Sequence, residues 1–318
     1  FEKIAPITLE VLLACVFWGL VFTYSAVKGM KAIEAIATPI SPIILIIAIY
    51  VGVTMMAEGG GSAAFFAKAE KLGGLGLGSG ITVVVGSWIA GAVMGVDLFR
   101  FNKSVSAVFW CAAACFIFTN PLLNIVGYIG VVQVGQFNYS QWMLGISTLL
   151  AIVGVIAWTA SLWTTNNGEL YCNALYTGPA LDALGISVNR EKIVTICGVL
   201  GTLLGSMAFY QIFFADFINM LGAMAPPVCA PILADYFVIR RDKYNVAYLH
   251  RQPNVRWAGI ISFAIGAFLG FLFQYVIPLP LGLPSGLFAM MVSFLIYIAI
   301  YKYTPDRKAD DDLVASGA

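Results

Sequence analysis

Apolar runs of about 20 residues recur along the whole chain of 318 residues, and this repetition constrains the fold more than any other feature. A bilayer core is about 30 Å thick, and an α-helix needs about 20 apolar residues to cross it. Only 10% of the residues are Asp, Glu, Lys or Arg, whereas a soluble domain carries about 25%. So few charges cannot cover a water-exposed surface. The sequence therefore predicts an all-α polytopic membrane protein that lies in a lipid bilayer.

The apolar runs divide into nine predicted membrane spans. They cover residues 7–27, 36–56, 77–98, 105–134, 142–176, 191–210, 214–238, 257–276 and 283–302. These spans form one transmembrane domain over residues 1–302. The charged residues 303–318 are expected to be a disordered cytoplasmic tail, because they hold too little apolar surface to form a core.

The basic residues alternate across these spans in the manner that sets membrane topology. Only Lys3, Lys68 and Lys71 fall on one side, which leaves 14 of the 17 Lys and Arg residues on the other. Loops rich in Lys and Arg stay in the cytoplasm. The pattern predicts a multi-pass protein of the cell (plasma or inner) membrane with a cytoplasmic C-terminus. Phe1 would then lie outside, and we expect an odd number of further helices before it.

Several functional classes lack the residues that they need. A formal net charge of +1 provides no basic surface for nucleic acid. The six cysteines lie in or beside apolar runs without a CxxC pair, and His250 is the only histidine. We interpret the cysteines as packing residues and expect no cofactor. Neither HExxH nor GxSxG occurs, which argues against an intramembrane enzyme, and nothing indicates an obligate protein partner.

A first polar cluster lies in the fifth predicted span and runs on to Glu169. Ser161, Thr164 and Thr165 stand at i, i+3 and i+4, which places them on one helix face. Hydroxyl oxygens and a backbone carbonyl make a neutral oxygen site suited to Na⁺. Alternatively, the hydroxyls only bond to carbonyls of their own helix or hold helices together. Glu169 either lines a cytoplasmic vestibule or carries a proton.

A second cluster, Gly86-Ser87-Trp88, lies in the third predicted span. Glycines at positions 86, 91 and 95 weaken the helix and allow unwound backbone, which transporters expose to their solute at mid-membrane. Trp88 offers an aromatic face on which a planar ring can stack. Alternatively, Gly91 and Gly95 form a helix-packing face and Trp88 contacts lipid or a neighbouring helix.

Two further features indicate kinks and ion pairs. Pro226-Pro227 inside the seventh predicted span removes backbone donors and should kink that helix. Asp97 and Asp235 sit at cytoplasmic helix ends, close in sequence to Arg100 and Arg240 respectively. We expect local ion pairs there.

In order and spacing, these clusters resemble the nucleobase–cation symporter-1 family, particularly its cytosine permease branch. The similar stretches are Gly86-Ser87-Trp88-Ile89 running to Asp97-Leu98-Phe99-Arg100-Phe101, Trp163-Thr164-Thr165-Asn166, and Pro226-Pro227 running to Ala234-Asp235-Tyr236. The resemblance implies a five-plus-five inverted-repeat (LeuT-like) fold with two extra C-terminal helices. The nine spans would be helices four to twelve, and residues 77–98 would be the broken helix of the second repeat.

The resemblance also implies a Na⁺ site and a substrate site. Thr164 and Thr165 would offer hydroxyls to Na⁺, and Ser161 its backbone carbonyl. The remaining ligands would come from the first helix of the fold, and a second stacking aromatic and an amide from the third. None of these helices is among the nine spans.

The substrate-binding residues implied by the resemblance are Gly86, Ser87, Trp88, Ala90 and Asn166. Ser87 and the backbone near Trp88 would bond the edge of the solute, and Trp88 would stack on its face. Cytosine permeases carry Phe where Trp88 stands and Ser where Ala90 stands, whereas Trp is similar to the hydantoin-type members. The exact solute therefore stays open.

We therefore expect a secondary active transporter that imports a nucleobase or related planar nitrogen heterocycle, with cytosine as the first candidate, by Na⁺-coupled alternating access. One alternative keeps the fold but couples a purine, a hydantoin or a thiamine precursor to protons through Glu169. A second alternative is a membrane sensor or subunit that does not transport.

Overall fold

The computed structural model describes residues 8–135, 138–207, 210–240, 255–308 and 310. Every regular element in these ranges is helical, which confirms the all-α prediction. The α-helices are α1 Leu9–Val27, α2 Met30–Glu58, α3 Gly61–Leu72, α4 Leu77–Phe99, α5 Val105–Ala113, α6 Asn120–Val134, α7 Tyr139–Ile146, α8 Thr148–Ala183, α9 Arg190–Ser206, α10 Tyr210–Met224, α11 Cys229–Ala234, α12 Trp257–Tyr275 and α13 Ser285–Tyr301. Segments of tighter or wider helix are the π-helical Ala114–Thr119 and Asp235–Ile239 and the 3₁₀ turns Pro226–Val228 and Pro280–Gly282.

Seven helices in the described ranges are long and apolar enough to cross a membrane. They are Leu9–Val27, Ala35–Glu58, Leu77–Phe99, Val105–Val134, Thr148–Ala183, Phe213–Ile239 and Trp257–Tyr275. The remaining two predicted spans coincide with α9 and α13, each of 17 residues. Helices therefore occupy all nine predicted positions. Their assignment to helices four to twelve of the fold stays a prediction.

Large apolar side chains on these helices are exposed, as a lipid-facing surface requires. Examples on three different helices are Phe17, 59% exposed, Ile46, 68% exposed, and Val96, 74% exposed. A water-soluble protein rarely leaves a continuous apolar surface uncovered. The exposure pattern thus agrees with the hydropathy of the sequence, and the chain is a multi-pass membrane protein.

The chain divides into two compact units, Phe1–Gly74 with Gly95–Ala208 and Leu75–Met94 with Phe209–Ala318. In the first unit, α1 and α9 pack through two reciprocal contacts. Thr202 of α9 fills the space beside Gly19, with its hydroxyl 2.4 Å from where a Cβ would lie, and Thr23 of α1 does the same at Gly198. Any larger residue at either glycine would force the helices apart.

In the second unit, the paired prolines interrupt the seventh predicted span. α10 ends at Met224, and the 3₁₀ turn that begins at Pro226 separates it from α11. Pro226 and Pro227 are fully buried. Ser293 of α13 donates its hydroxyl to the carbonyl of Ser262 in α12 at 2.8 Å, which joins those helices beside the prolines. The predicted kink is confirmed as a break in the α-helix.

The first residues after α13 are ordered, contrary to the expectation of a disordered tail. Asp306 is only 1% exposed, and its carboxylate accepts the backbone N–H of Trp257 at 3.1 Å and of Ala258 at 2.7 Å. It therefore caps the N-terminus of α12, where the helix dipole also favours a negative charge. The expectation of disorder is wrong for residues 303–308 and for 310. The rest of the tail lies outside the described residues.

A buried ion network surrounds the second ordered acid of the tail. Asp310 accepts hydrogen bonds from both terminal nitrogens of Arg256, at 2.9 and 2.7 Å, and from the Tyr301 hydroxyl at 2.6 Å. Arg240 lies 3.7 Å from Asp310 and pairs with Asp235, which confirms the predicted pair. Asp310 thus contacts both Arg240 and Arg256, which lie on either side of residues 241–254 in the sequence.

Replacing Asp306 by alanine should lower the stability of the protein, because the first turn of α12 would lose the acceptor for two buried N–H groups. Loss of a cap costs about 0.5–2 kcal/mol. We expect a lower thermal midpoint in detergent than for the wild type. Lys308→Ala, which changes an exposed residue of the same turn, is the matched control and should leave the midpoint unchanged. Equal midpoints for all three proteins would contradict the capping role.

Candidate functional site

The predicted cation ligands lie together on α8, in the first unit. The hydroxyl of Thr164 donates to the backbone carbonyl of Ser161 at 2.8 Å. Both residues are half-buried, whereas Thr165 is exposed. The alternative of a bond to a carbonyl of the same helix is therefore found at Thr164. The bond also places two of the three expected ligand oxygens 2.8 Å apart. The donating hydroxyl keeps its lone pairs, so its oxygen can still bind a cation.

Asn167, to which none of the sequence motifs gives a role, holds this part of α8 against α1. Its side chain is fully buried and lies 2.9 Å from the hydroxyl of Ser25. With the amide nitrogen turned toward α1, that nitrogen donates to the carbonyl of Phe22 at 2.8 Å, and the amide oxygen accepts from Trp163 Nε1 at 3.2 Å. An asparagine inside an apolar span is the signal that could have indicated such a contact.

Beyond this contact, the later turns of α8 lie beside several polar side chains. Arg100 donates to the hydroxyl of Tyr171 at 2.8 Å, and Arg190 lies over the same ring, 4.9 Å from its centroid. Asp97 is hydrogen-bonded by Tyr176. Arg100 therefore has a tyrosine partner, and the expected pairing with Asp97 is not among the salt bridges found in the described residues.

Glu169 is exposed on α8. It lies four residues after Thr165, which places both on adjacent turns of the same side of the helix. This position fits either interpretation of the sequence, a vestibule carboxylate or a proton carrier.

The predicted substrate residues on α4 belong to the second unit, and the backbone there is not unwound. α4 is a continuous α-helix from Leu77 to Phe99, so the expected break is wrong. Gly86 is buried, and a Cβ on it would lie 2.0 Å from the carbonyl oxygen of Ile218 in α10. Gly222 makes the reciprocal approach to the carbonyl of Thr82, also at 2.0 Å. These glycines allow close packing of two intact helices, and no proline forces a break.

The neighbours of Gly86 have more open surroundings. Ser87 is exposed and donates its hydroxyl to the carbonyl of Val84 at 2.8 Å, and Ala90 is also exposed. Trp88 is half-buried, with its ring 3.4 Å from the ideal Cβ position of Gly91. Gly91 thus leaves room for the indole on the same helix, while Ser87 and Ala90 remain accessible.

Asn166 lies in the first unit, on the same helix as the predicted cation ligands. Its amide donates to the carbonyl of Leu162 at 2.8 Å, so its side chain bonds to its own helix. The structure therefore groups the predicted residues as Ser161, Thr164, Thr165 and Asn166 on α8, and Gly86, Ser87, Trp88 and Ala90 on α4.

Residues 2–293 match the family described as permeases for cytosine/purines, uracil, thiamine and allantoin. The chain belongs to this nucleobase–cation symporter-1 family. The match covers nearly the whole chain and agrees with the resemblance carried by the three clusters. The relatives of this chain are permeases rather than enzymes.

Two curated relatives illustrate the range of the family. The cytosine permease of Escherichia coli K12 is 26% identical over 260 residues, which cover 82% of this chain and 59% of the relative. The hydantoin permease of Microbacterium maritypicum is 23% identical over 284 residues, which cover 81% and 57%. The chain thus spans somewhat less than three fifths of the length of these relatives.

Among solved structures, the inward-facing conformation of Mhp1 is similar to this chain. The two share a TM-score of 0.64 and 20% sequence identity, and the match covers 96% of this chain and 77% of the other. This similarity establishes the fold, the five-plus-five inverted-repeat transporter fold.

Gly86→Ala should destabilise this protein, because the added Cβ would collide with backbone atoms of α10 rather than with the end of a flexible side chain. Overpacking of this kind costs about 1–3 kcal/mol, so we expect a lower thermal midpoint in detergent. Gly80→Ala is the matched control on the same helix, since nothing lies within 4 Å of its Cβ position. A Gly86→Ala protein as stable as the Gly80→Ala protein would contradict the close packing of α4 on α10.

Proposed function

We propose that the protein imports a nucleobase or related planar nitrogen heterocycle, with cytosine as the first candidate, by Na⁺-coupled alternating access. The observation that carries the proposal is a set of three neutral oxygen sources on α8 within an apolar span. The Thr164 hydroxyl and the Ser161 carbonyl lie 2.8 Å apart, and Thr165 is exposed at the next position. Membership of a permease family supplies the transporter class.

The chemistry of this oxygen pair favours a monovalent cation as co-substrate. Polar groups within a span are costly unless they serve a purpose. Divalent cations bind sites rich in carboxylates, whereas Ser161 and Thr164 contribute only neutral oxygens. Na⁺ would accept lone pairs from the Thr164 hydroxyl and the Ser161 carbonyl, and Thr165 would add a third oxygen from the next position.

On the solute side, Trp88 offers an aromatic surface beside exposed polar atoms. Its half-buried indole is held over Gly91, and the neighbouring Ser87 hydroxyl is exposed. A planar heterocycle can stack on an indole face while its ring nitrogens bond to a hydroxyl or to backbone groups. This combination of a flat ring and a polar edge suits nucleobases and hydantoins alike.

Coupling of the two ligands requires only that both bind one conformation better than the other. Na⁺ that binds the outward-open state more tightly raises the population of that state. The solute then meets more binding-competent protein, so each ligand raises the apparent affinity of the other by the same factor. Downhill entry of Na⁺ would in this way drive accumulation of the solute.

Uptake of radiolabelled cytosine by cells that express the complete gene tests the function and the cation site together. We expect accumulation in Na⁺ medium, competed by unlabelled cytosine, and little accumulation when choline replaces Na⁺. Thr164→Ala and Thr165→Ala each remove one ligand oxygen. A hydrogen bond to a charged group is worth about 1.5–3 kcal/mol, so the Na⁺ concentration for half-maximal uptake should rise about 10- to 100-fold.

Thr195→Ala provides the control for the two threonine variants. Thr195 lies on α9 and donates its hydroxyl to the carbonyl of Glu191 at 2.8 Å, as Thr164 does to a carbonyl of its own helix. It is exposed, as Thr165 is. Its replacement should leave the Na⁺ dependence unchanged. Unaltered Na⁺ half-saturation in both Thr164→Ala and Thr165→Ala would contradict the proposed site.

Proton-coupled transport is the second candidate, favoured by the exposed Glu169 carboxylate within the α8 span. Its solute would be a purine, a hydantoin or a thiamine precursor. Uptake that follows the pH gradient, persists in choline medium and disappears in Glu169→Gln would support this candidate over Na⁺ coupling.

Trp88→Ala should weaken solute binding and leave the cation site intact. Loss of one aromatic contact costs about 0.5–1.5 kcal/mol beyond the lost burial, so we expect the KM for the solute to rise about tenfold at saturating Na⁺. The Na⁺ half-saturation should not change. Trp110→Ala is the control, because Trp110 is 63% exposed on α5. Equal KM values for the two variants would argue against Trp88 as the stacking residue.

A further inference from the structure

Asn167 lies at the centre of a buried polar contact between α8 and α1. In the orientation that satisfies both ends of its amide, the nitrogen donates to the Phe22 carbonyl at 2.8 Å and to the Ser25 hydroxyl at 2.9 Å. The amide oxygen lies 3.2 Å from Trp163 Nε1 and 2.8 Å from the Ser25 hydroxyl. No part of the Asn167 side chain is exposed.

Trp163 completes this contact from one turn earlier on the same helix. Its Nε1 donates to the Ser25 hydroxyl at 2.6 Å, and its ring lies 5.9 Å from that of Phe22. The Ser25 hydroxyl in turn lies 2.9 Å from the Phe22 carbonyl. Each polar group of Ser25, Trp163 and Asn167 therefore has a partner. Buried donors are costly to leave without one, so these three side chains define one preferred arrangement.

The helix on the other side of this contact is itself fixed. α1 is packed on α9 by the reciprocal contacts of Thr23 with Gly198 and of Thr202 with Gly19. Thr23 is buried and its hydroxyl bonds to the Gly19 carbonyl at 2.8 Å. α1 thus provides a rigid reference against which α8 is held.

Because this contact lies beside Thr164 and Thr165 on α8, it affects the direction in which those two side chains point. Trp163 and Asn167 stand at i and i+4, and Thr164 and Thr165 lie between them in sequence. Successive residues of an α-helix differ in direction by about 100°. The direction in which Thr164 and Thr165 point is therefore set by the rotation of α8, and the contact with α1 fixes that rotation.

We propose that Ser25, Trp163 and Asn167 are positioning residues for the cation site on α8, which they orient from the opposite side of the helix. This inference rests on the proposed Na⁺-coupled function. Residues that orient ligands without touching the ion are often nearly as important as the ligands, and their loss commonly weakens metal binding about 10- to 100-fold. A contact that merely holds helices together would instead affect stability alone.

The test measures Na⁺-dependent uptake by the complete protein with three variants. Asn167→Leu removes the amide, Ser25→Ala removes the shared hydroxyl, and Trp163→Phe keeps a ring beside Phe22 while removing the indole donor. We expect each variant to raise the Na⁺ half-saturation about tenfold. The KM for solute, measured at saturating Na⁺, should stay near the wild-type value.

A double variant tests whether these residues act as one network or affect the Na⁺ half-saturation independently. The double variant Ser25→Ala/Asn167→Leu should raise the Na⁺ half-saturation little more than either single variant, because each change already breaks the same contact. Ser25→Thr retains the hydroxyl and should restore most of the wild-type Na⁺ affinity. Full additivity of the two single changes would overturn the network.

A matched control lies on the other side of α1. Thr202→Ala removes the packing against Gly19, but it changes no residue of α8 and leaves the Thr23–Gly198 contact between α1 and α9 in place. It should therefore lower the thermal midpoint and leave the Na⁺ half-saturation unchanged. If Asn167→Leu does not fold, Trp163→Phe and Ser25→Ala decide the question. Their effect on the Na⁺-induced rise in thermal midpoint of the purified protein gives a second readout.

The outcomes distinguish this inference from the function on which it rests. Wild-type uptake that depends on Na⁺, with unchanged Na⁺ half-saturation in all three variants, would overturn the positioning role and leave the proposed function intact. Wild-type uptake that ignores Na⁺ would overturn both. A raised half-saturation in the three variants, with Thr202→Ala like the wild type, would support the positioning role.

Discussion

Hydrocarbon offers no hydrogen-bond partner to a backbone N–H or C=O, so each spanning segment must satisfy these groups within the protein. This constraint explains why the described elements are helical and where the α-helical pattern is interrupted. Pro226 and Pro227 remove two donors, and both prolines are fully buried. The hydroxyl of Ser293 donates to the carbonyl of Ser262 at 2.8 Å and lies 3.5 Å from the carbonyl of Pro227. The interruption is thus confined to a place that protein covers.

The same constraint acts on hydroxyl side chains within the spans. Thr23, Thr202 and Ser262 each bond to a carbonyl of their own helix, at 2.8, 2.7 and 2.7 Å. The Thr164 bond to Ser161 follows the same pattern and therefore does not by itself indicate a cation site. What distinguishes Thr164 is its neighbour Thr165, which adds a third oxygen source on an exposed position. A cation bound there would exchange one internal hydrogen bond for several ion–oxygen contacts.

The sequence predicted features that depend on nearby residues. The spans follow from apolar runs, the helix break from adjacent prolines, and the Asp235–Arg240 pair from a separation of five residues. Features that depend on distant residues were missed. Asn167 and Ser25 are 142 residues apart, and Asp306 caps a helix 48 residues earlier. Gly86 shows the limit most clearly, because a glycine permits both unwinding and close packing. The choice depends on α10, which the local sequence does not reveal.

Asn166 and Asn167 are adjacent in sequence, yet their side chains contact different parts of the protein. Asn166 bonds to its own helix, whereas Asn167 is buried against α1. A rotation of α8 relative to α1 would break all the contacts of Asn167 together and leave buried polar groups without partners, at about 1–3 kcal/mol for each group. α8 is continuous over 36 residues, so it cannot absorb such a rotation locally. The physical cost therefore favours motion of α1, α8 and α9 as one body, which would carry Thr164 and Thr165 with it.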